Sequence, residues 1–418
     1  MIAVWEQFKK LKGSPKPDAA KVGELEKQLS LRSAVYRTQG DDFSVTWREV
    51  QAQLAGDEAA VEITTIAGDG AQPQYAGLVL RAGDEALQCV RLCGEEAIAT
   101  GLQTSADLTD VLFTSLEKHL RGVGRIYLSV SGLAGKVAFA GMKDRRGYLS
   151  DRYSLCNLLT TKDISRSKQG RAFSETPAIA LFGGADFGLP AAELNGATDL
   201  LRGQGFDYLP GSKKEVTGIG RMLAASGWQS AVYTDREMTE SRFKALSSAS
   251  PDVIHVSTHG YYFPLTEADA GADQLFRTAD DPLLRSGLLF SGANEAWNGR
   301  AKDISSDDGI LTGREIALMN LGGTRLVVLS ACSTALGDID YSEGIYGLQR
   351  AFRIAGAEAI LVTLWEVSDR ETTVFMTQFY ERLAAGTPVR DAFDATQRSV
   401  RRKYPAKPGA WAGFMLVE

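Results

Sequence analysis

The sequence predicts an α/β protein with a mostly parallel sheet and helices on both faces. Three observations predict it. From about residue 177 onward, short apolar strands alternate with helical stretches, the pattern that builds a doubly covered parallel sheet. The strand candidates are near-continuous apolar runs, as in Leu326-Val327-Val328-Leu329. His259 and Cys332 each follow such a run, and open α/β sheets bind ligands beyond the carboxyl ends of their strands.

The elements follow in chain order. Within 1–34, Trp5, Phe8 and Leu11 recur at helical spacing, Pro15 and Pro17 interrupt, and Val22, Leu25 and Leu29 resume. Two such short helices cannot bury their own apolar faces, so the segment reads as the remnant of a repeat array. Residues 35–170 mix signals. Tyr75–Leu80 and Ala86–Leu92 read as paired strands, Asp107–Leu120 as a helix with Leu108, Leu112, Leu116 and Leu120 on one face, and Arg125–Val130 as a strand. Residues 171–418 form the main α/β unit. Its strands are Ala178–Phe182, Ser230–Tyr233, Val253–Ser257, Arg325–Leu329 and Ala359–Leu364. Helices are expected near 213–225, 240–247, 313–319, 343–355, 370–384 and 388–403, with Gly356 terminating the fourth. The stretch from Gly260 to Leu311 reads as a long loop, functional at that length, with Leu288-Leu289-Phe290 as a short added strand.

Composition removes several function classes. The net charge of -6 and a pI near 5.4 argue against general nucleic-acid or anionic-membrane binding. The small basic cluster Arg398, Arg401, Arg402 and Lys403 reads as a solvated helix end. No apolar run has the length of a membrane span, and the N-terminus lacks the apolar core of a signal peptide. Four cysteines in 418 residues make no disulfide framework. The expected compartment is therefore the reducing cytoplasm. No dinucleotide fingerprint, nucleophile elbow or Walker lysine is present, and no cofactor is expected.

Three histidines and four cysteines bound the search for chemistry. His119 stands among charged residues of a helix, and His255 lies inside an apolar strand as a hydrogen-bonded core residue or an indirect support. His259 is followed by Gly260, which permits a sharp turn and close approach of a backbone N–H to a ligand. Cys89, Cys93 and Cys156 read as small buried hydrophobes, and no second Cys or His pair has zinc-site spacing. Cys332 leaves its strand for the polar turn Ser333–Asp338, where a thiol beside an imidazole is partly ionised. A thiol and an imidazole over one sheet edge can run acyl transfer: Cys332 attacks, His259 moves protons, and the backbone N–H groups of Gly260 and Cys332 serve as oxyanion donors.

The blocks HVSTHG at 255–260, DGILTGREIALMNLGGTRLVVLSACSTALGD at 308–338, EGIYGLQRAFRIAGAEAILVTLWEVSD at 343–369 and the closing WAGFMLVE resemble the CHAT domain. That family comprises caspase-like and separase-like cysteine peptidases of bacteria, commonly joined to tetratricopeptide repeats. The resemblance covers roughly 34–418. It implies a caspase-like fold, a Cys332–His259 dyad, and a non-catalytic subdomain over 35–170. It also implies a place in bacterial defence, with a gasdermin-like pore former as the favoured substrate guess. The block at 364–369 resembles separases, which cleave after arginine, so Glu366 or Asp369 could meet a basic P1 side chain. Asp369 reads equally well as the cap of the following helix. Asp338 and Asp340 are further acidic candidates, and the Asp280–Asp281 loop ranks below them. A protein substrate and either a regulatory partner or a missing repeat domain are the expected partners. The alternatives are a pseudoprotease and a partner-gated binding module.

Overall fold

A computed structural model describes residue 21 and residues 45–66, 73–188, 205–262, 283–297, 307–330, 341–365 and 367–418. The helices expected within 1–34 lie outside these residues. The chain divides into two compact units, Ser44–Arg171 with Arg370–Glu418, and Ala172–Asp369.

In the first unit, β1 (Glu58–Ile66), β2 (Gln74–Arg81), β3 (Gln88–Gly94), β4 (Arg125–Val130) and β7 (Ser154–Leu158) lie in the order β3-β2-β1-β4-β7. A two-residue hairpin, β5 (Lys143–Asp144) with β6 (Gly147–Tyr148), sits apart. The expected β2/β3 pair is present and antiparallel, and the C-terminal strand Phe414–Val417 runs parallel to β7. Strand β1 is a nine-residue element that the sequence reading misses, because Glu58 and Glu62 interrupt its apolar signal. Both carboxylates are satisfied inside the fold. Glu58 accepts from Ala55 N–H and Tyr127 O–H and pairs with Lys168, while Glu62 accepts from Thr161. Alternation then sorts the strand. Ala59, Val61 and Ile63 join one apolar cluster, and Ala60 joins another with Tyr127 and Cys156.

The helix expected over 107–120 is broken into a short α-helix, Thr109–Leu112, and a 3-10 turn, Glu117–His119. Asp107 accepts from Thr109 N–H, and the Thr114 hydroxyl bonds back to Asp110, so side chains compete for the backbone. The four leucines still bury.

The second unit carries β8 (Ala178–Ala185), β9 (Gln229–Asp235), β10 (Val253–Ser257), β14 (Leu326–Leu329) and β15 (Ala359–Thr363), ordered β15-β14-β10-β8-β9. Every neighbouring pair is parallel. Helices cover both faces, as predicted. Leu181 of β8 faces Gly220 of helix Pro210–Ala225, while its neighbour Phe182 packs on Phe243 and Phe290 from the other side. Side chains of this kind, fully buried, contribute about 1.5–3 kcal/mol each. Helix Pro210–Ala225 starts with Pro at its first turn and buries Val216, Ile219, Gly220 and Leu223 at 3–4 spacing. Helix Tyr341–Ala355 stops where the sequence predicts: Gly356 has φ of 108°, a conformation costly for other residues.

The 260–311 stretch is more ordered than a loop among its described residues. β11 (Gly260–Tyr262), β12 (Ser286–Leu289) and β13 (Ile310–Thr312) form an antiparallel sheet. Each segment is only three or four residues long and almost wholly buried, so it lacks the polar alternation that marks a strand in sequence. The expected added strand around Leu288 is its central member.

Candidate active site

His259 comes two residues after the end of β10 and is buried, with 6% of its surface exposed. Its ring packs in a three-ring cluster with Phe187 and Phe206, whose centroids are 5.2 and 5.5 Å away from it and 6.3 Å from each other. Nε2 is 2.9 Å from the carbonyl oxygen of Asp207. A carbonyl only accepts, so Nε2 carries the proton and Nδ1 holds the lone pair of the neutral ring.

The segment that leads into Asp207 is held by a residue that the sequence reading misses. Asn294 is fully buried. Its Oδ1 accepts from Phe206 N–H at 2.8 Å, and its Nδ2 donates to the carbonyls of Phe206 and Gly188 at 3.1 and 3.0 Å. Its own backbone N–H donates to Phe187 O. One amide thus ties together both segments that flank the imidazole. Asn294 lies in helix Ala293–Trp297, within the stretch expected to be a loop.

Gly260 begins β11 opposite Leu288 and does not adopt a positive φ. A Cβ there would meet only Gly287 O at 3.5 Å, an ordinary contact. The sharp turn expected at this glycine is therefore absent: the chain passes from β10 into the antiparallel sheet, with Leu289 N–H donating to His259 O.

β14 lies next to β10 in parallel register, with Val256 opposite Leu329. Ser330 follows β14. Cys332 and Asp338 lie outside the described residues, as does Glu366, together with Asp340 and the Asp280–Asp281 loop. Asp369 is exposed and opens helix Asp369–Ala384. Its carboxylate stands against the first turn of helix Pro210–Ala225, where a methyl on Gly211 would collide with it. A helix N-terminus favours a carboxylate there.

Of the other candidates, His255 is in the core of β10 with no exposure, and its Nε2 is 3.3 Å from Glu215. His119 ends the 3-10 turn in the other unit. Cys89 is exposed, Cys93 half-buried and Cys156 buried. Burial also raises the Cys93 and Cys156 thiols above their ordinary value, against the reactive thiolate. Among the described residues, no group of three or more His, Cys, Asp or Glu is arranged to hold a metal ion, and no helix is long and apolar enough to cross a membrane.

The family model for the CHAT domain matches residues 102–418. The chain belongs to the CHAT domain family. Tetratricopeptide repeat protein 28 of Mus musculus is 33% identical over 109 residues, and the human protein of that name is 32% identical over the same length. The match takes in 26% of this chain and 4% of either relative, so the chain spans only a small part of their length. Among solved structures, the Saccharomyces cerevisiae separase–securin complex is similar at a TM-score of 0.49, with 10% identity over 98% of this chain and 32% of that one. The Arg-specific cysteine proteinase gingipain R is similar at 0.41, with 10% identity over 77% of this chain and 67% of that one.

Proposed function

We propose that the chain is a cysteine endopeptidase acting through Cys332 and His259. The observation that carries this reading is the His259 ring, buried beyond β10 with its proton held on Nε2 by Asp207 O. That arrangement leaves Nδ1 as the base. Membership of the CHAT family and the parallel β10/β14 pair support the assignment of the nucleophile, since Cys332 comes three residues after the end of β14.

In the proposed reaction, the Cys332 sulfur attacks the peptide carbonyl and its proton passes to His259. His259 protonates the leaving amine as the C–N bond breaks, which leaves a thioester. His259 then takes a proton from water, the hydroxide attacks the thioester, and the acid product and thiol are released. The N–H groups of Gly260 and Cys332 are the proposed oxyanion donors. The substrate is a protein held in extended form, with a basic P1 residue facing Asp369, Glu366 or Asp338. A bacterial, cytoplasmic defence setting with a gasdermin-like target is the proposed context. A repeat-containing partner, supported by the likeness to a tetratricopeptide repeat protein, is the proposed regulator.

The test compares wild type, Cys332→Ala and His259→Ala on peptide libraries and candidate protein substrates, with and without a repeat-protein partner. Specific fragments that appear only with wild type are expected. Identical fragments from all three chains overturn the protease reading. Cleavage by wild type only after a partner is added identifies the partner-gated form.

A further inference from the structure

We propose that Glu215 is a positioning residue that sets the spacing between the ends of β10 and β14, the strands preceding His259 and Cys332. This rests on the reading of those two residues as a catalytic dyad. Glu215 projects from helix Pro210–Ala225, and its side chain is only 9% exposed. One oxygen, Oε2, accepts two hydroxyls at 3.1 Å each, Ser257 Oγ from the end of β10 and Ser330 Oγ from just past β14. The other oxygen, Oε1, faces His255 Nε2 at 3.3 Å.

Register explains why these groups meet. His255 pairs with Leu181 and Ser257 with Gly183, so both point to the face of β8 that helix Pro210–Ala225 covers. Val328 is opposite His255, and Ser330, two residues on, shares that face if the strand's alternation is continued. The helix is itself pinned at this level. Ser212 Oγ donates to Ser257 O and accepts from Gly184 N–H at 2.8 Å.

A carboxylate removed from water needs such donors, and stability alone would be served as well by an apolar contact. What the carboxylate adds is a bridge. Two hydroxyls sharing one oxygen clamp the neighbouring strand ends at the level of the last backbone bond between them, Ser330 N–H to Val256 O at 2.9 Å. Ser257 lies two residues before His259, and Ser330 two residues before Cys332. A change in their separation moves the strand ends from which the chain runs on to His259 and to Cys332.

The test measures alkylation of each cysteine by iodoacetamide in the intact chain, read by peptide mass spectrometry. Cys89, exposed in the other unit, is the internal reference. In wild type, Cys332 is expected to react faster than Cys89, and His259→Ala to remove the excess. Glu215→Ala and Ser330→Ala are expected to slow Cys332 roughly tenfold, as loss of these bonds implies. Glu215→Gln, which keeps an acceptor oxygen for both hydroxyls, should restore the rate to within about threefold. Should Glu215→Ala not fold, Ser330→Ala and Ser257→Ala carry the test. Folded Glu215 and serine variants with wild-type Cys332 rates, while His259→Ala slows it, overturn the positioning role and leave the dyad standing. A Cys332 rate that ignores His259 overturns the dyad and this proposal with it.

Discussion

His259 donates from Nε2 to the carbonyl oxygen of Asp207, a residue 52 positions earlier in the chain. Because the partner is a backbone group, no substitution of the Asp207 side chain removes the acceptor. The contact nevertheless makes a spectroscopic prediction. The neutral ring should be the Nε2–H tautomer, visible in nitrogen-15 shifts of labelled protein near neutral pH. A neutral Nδ1–H ring would contradict the assignment of Nδ1 as the base.

Asn294 should be the most sensitive support of that contact. Asn294→Ala leaves Phe206 N–H, Phe206 O and Gly188 O without the partners described above, at a cost of at least about 2 kcal/mol. Denaturant unfolding measures the loss. Any peptidase activity should fall further than stability does, since the Phe206–Asp207 segment that orients His259 is released. Activity per folded molecule equal to wild type would contradict this role.

Asp252 predicts the acid behaviour of the second unit. It precedes β10 and joins three strand starts, accepting from Ala178 N–H at 3.0 Å and Ser174 Oγ at 2.8 Å and pairing with Arg325 at 3.2 Å. Burial raises its affinity for a proton, but these donors and Arg325 together outweigh burial and lower its pKa below the usual value. A lowered folded pKa contributes stability above the unfolded value of about 3.9, and that stability is lost as pH falls through the folded value. Asp252→Asn should therefore destabilise the protein at pH 7 and converge with wild type in acid. A stability gap that stays constant from neutral to acid pH would exclude the linkage.

Asp369 distinguishes specificity from structure. As a P1 contact, Asp369→Asn should lower kcat/KM for Arg and Lys peptides about tenfold or more while apolar P1 peptides are unaffected. As an anion at the start of helix Pro210–Ala225, it should cost about 0.3–1 kcal/mol and leave P1 preference unchanged. Peptide-library cleavage with a thermal melt separates the two. Gly211→Ala should act through the same contact, because its methyl would collide with that carboxylate.

The misses have physical reasons. Strand β1 is hidden by Glu58 and Glu62, whose carboxylates find hydrogen-bond partners up to 110 positions away. β11 and β13, the two strands that flank the expected one, are hidden because each is too short and too buried to alternate. Asn294 and Glu215 carry no motif. An asparagine in an expected loop and a glutamate after two lysines look like ordinary surface residues until the fold surrounds them.

The sequence by itself determined the α/β class, the parallel strands, the stop at Gly356, the place of His259 just beyond β10 and the membership of the CHAT family. These are local: they follow from apolar runs, spacing and contiguous motif blocks. Tertiary structure alone decided how the imidazole is oriented and which side chains tie the strand ends together. Glu215 meets Ser257 across 42 residues and Ser330 across 115, and Asn294 reaches Phe206 across 88. Such contacts exist only once parallel register brings distant strand ends to one face, and no local pattern encodes them.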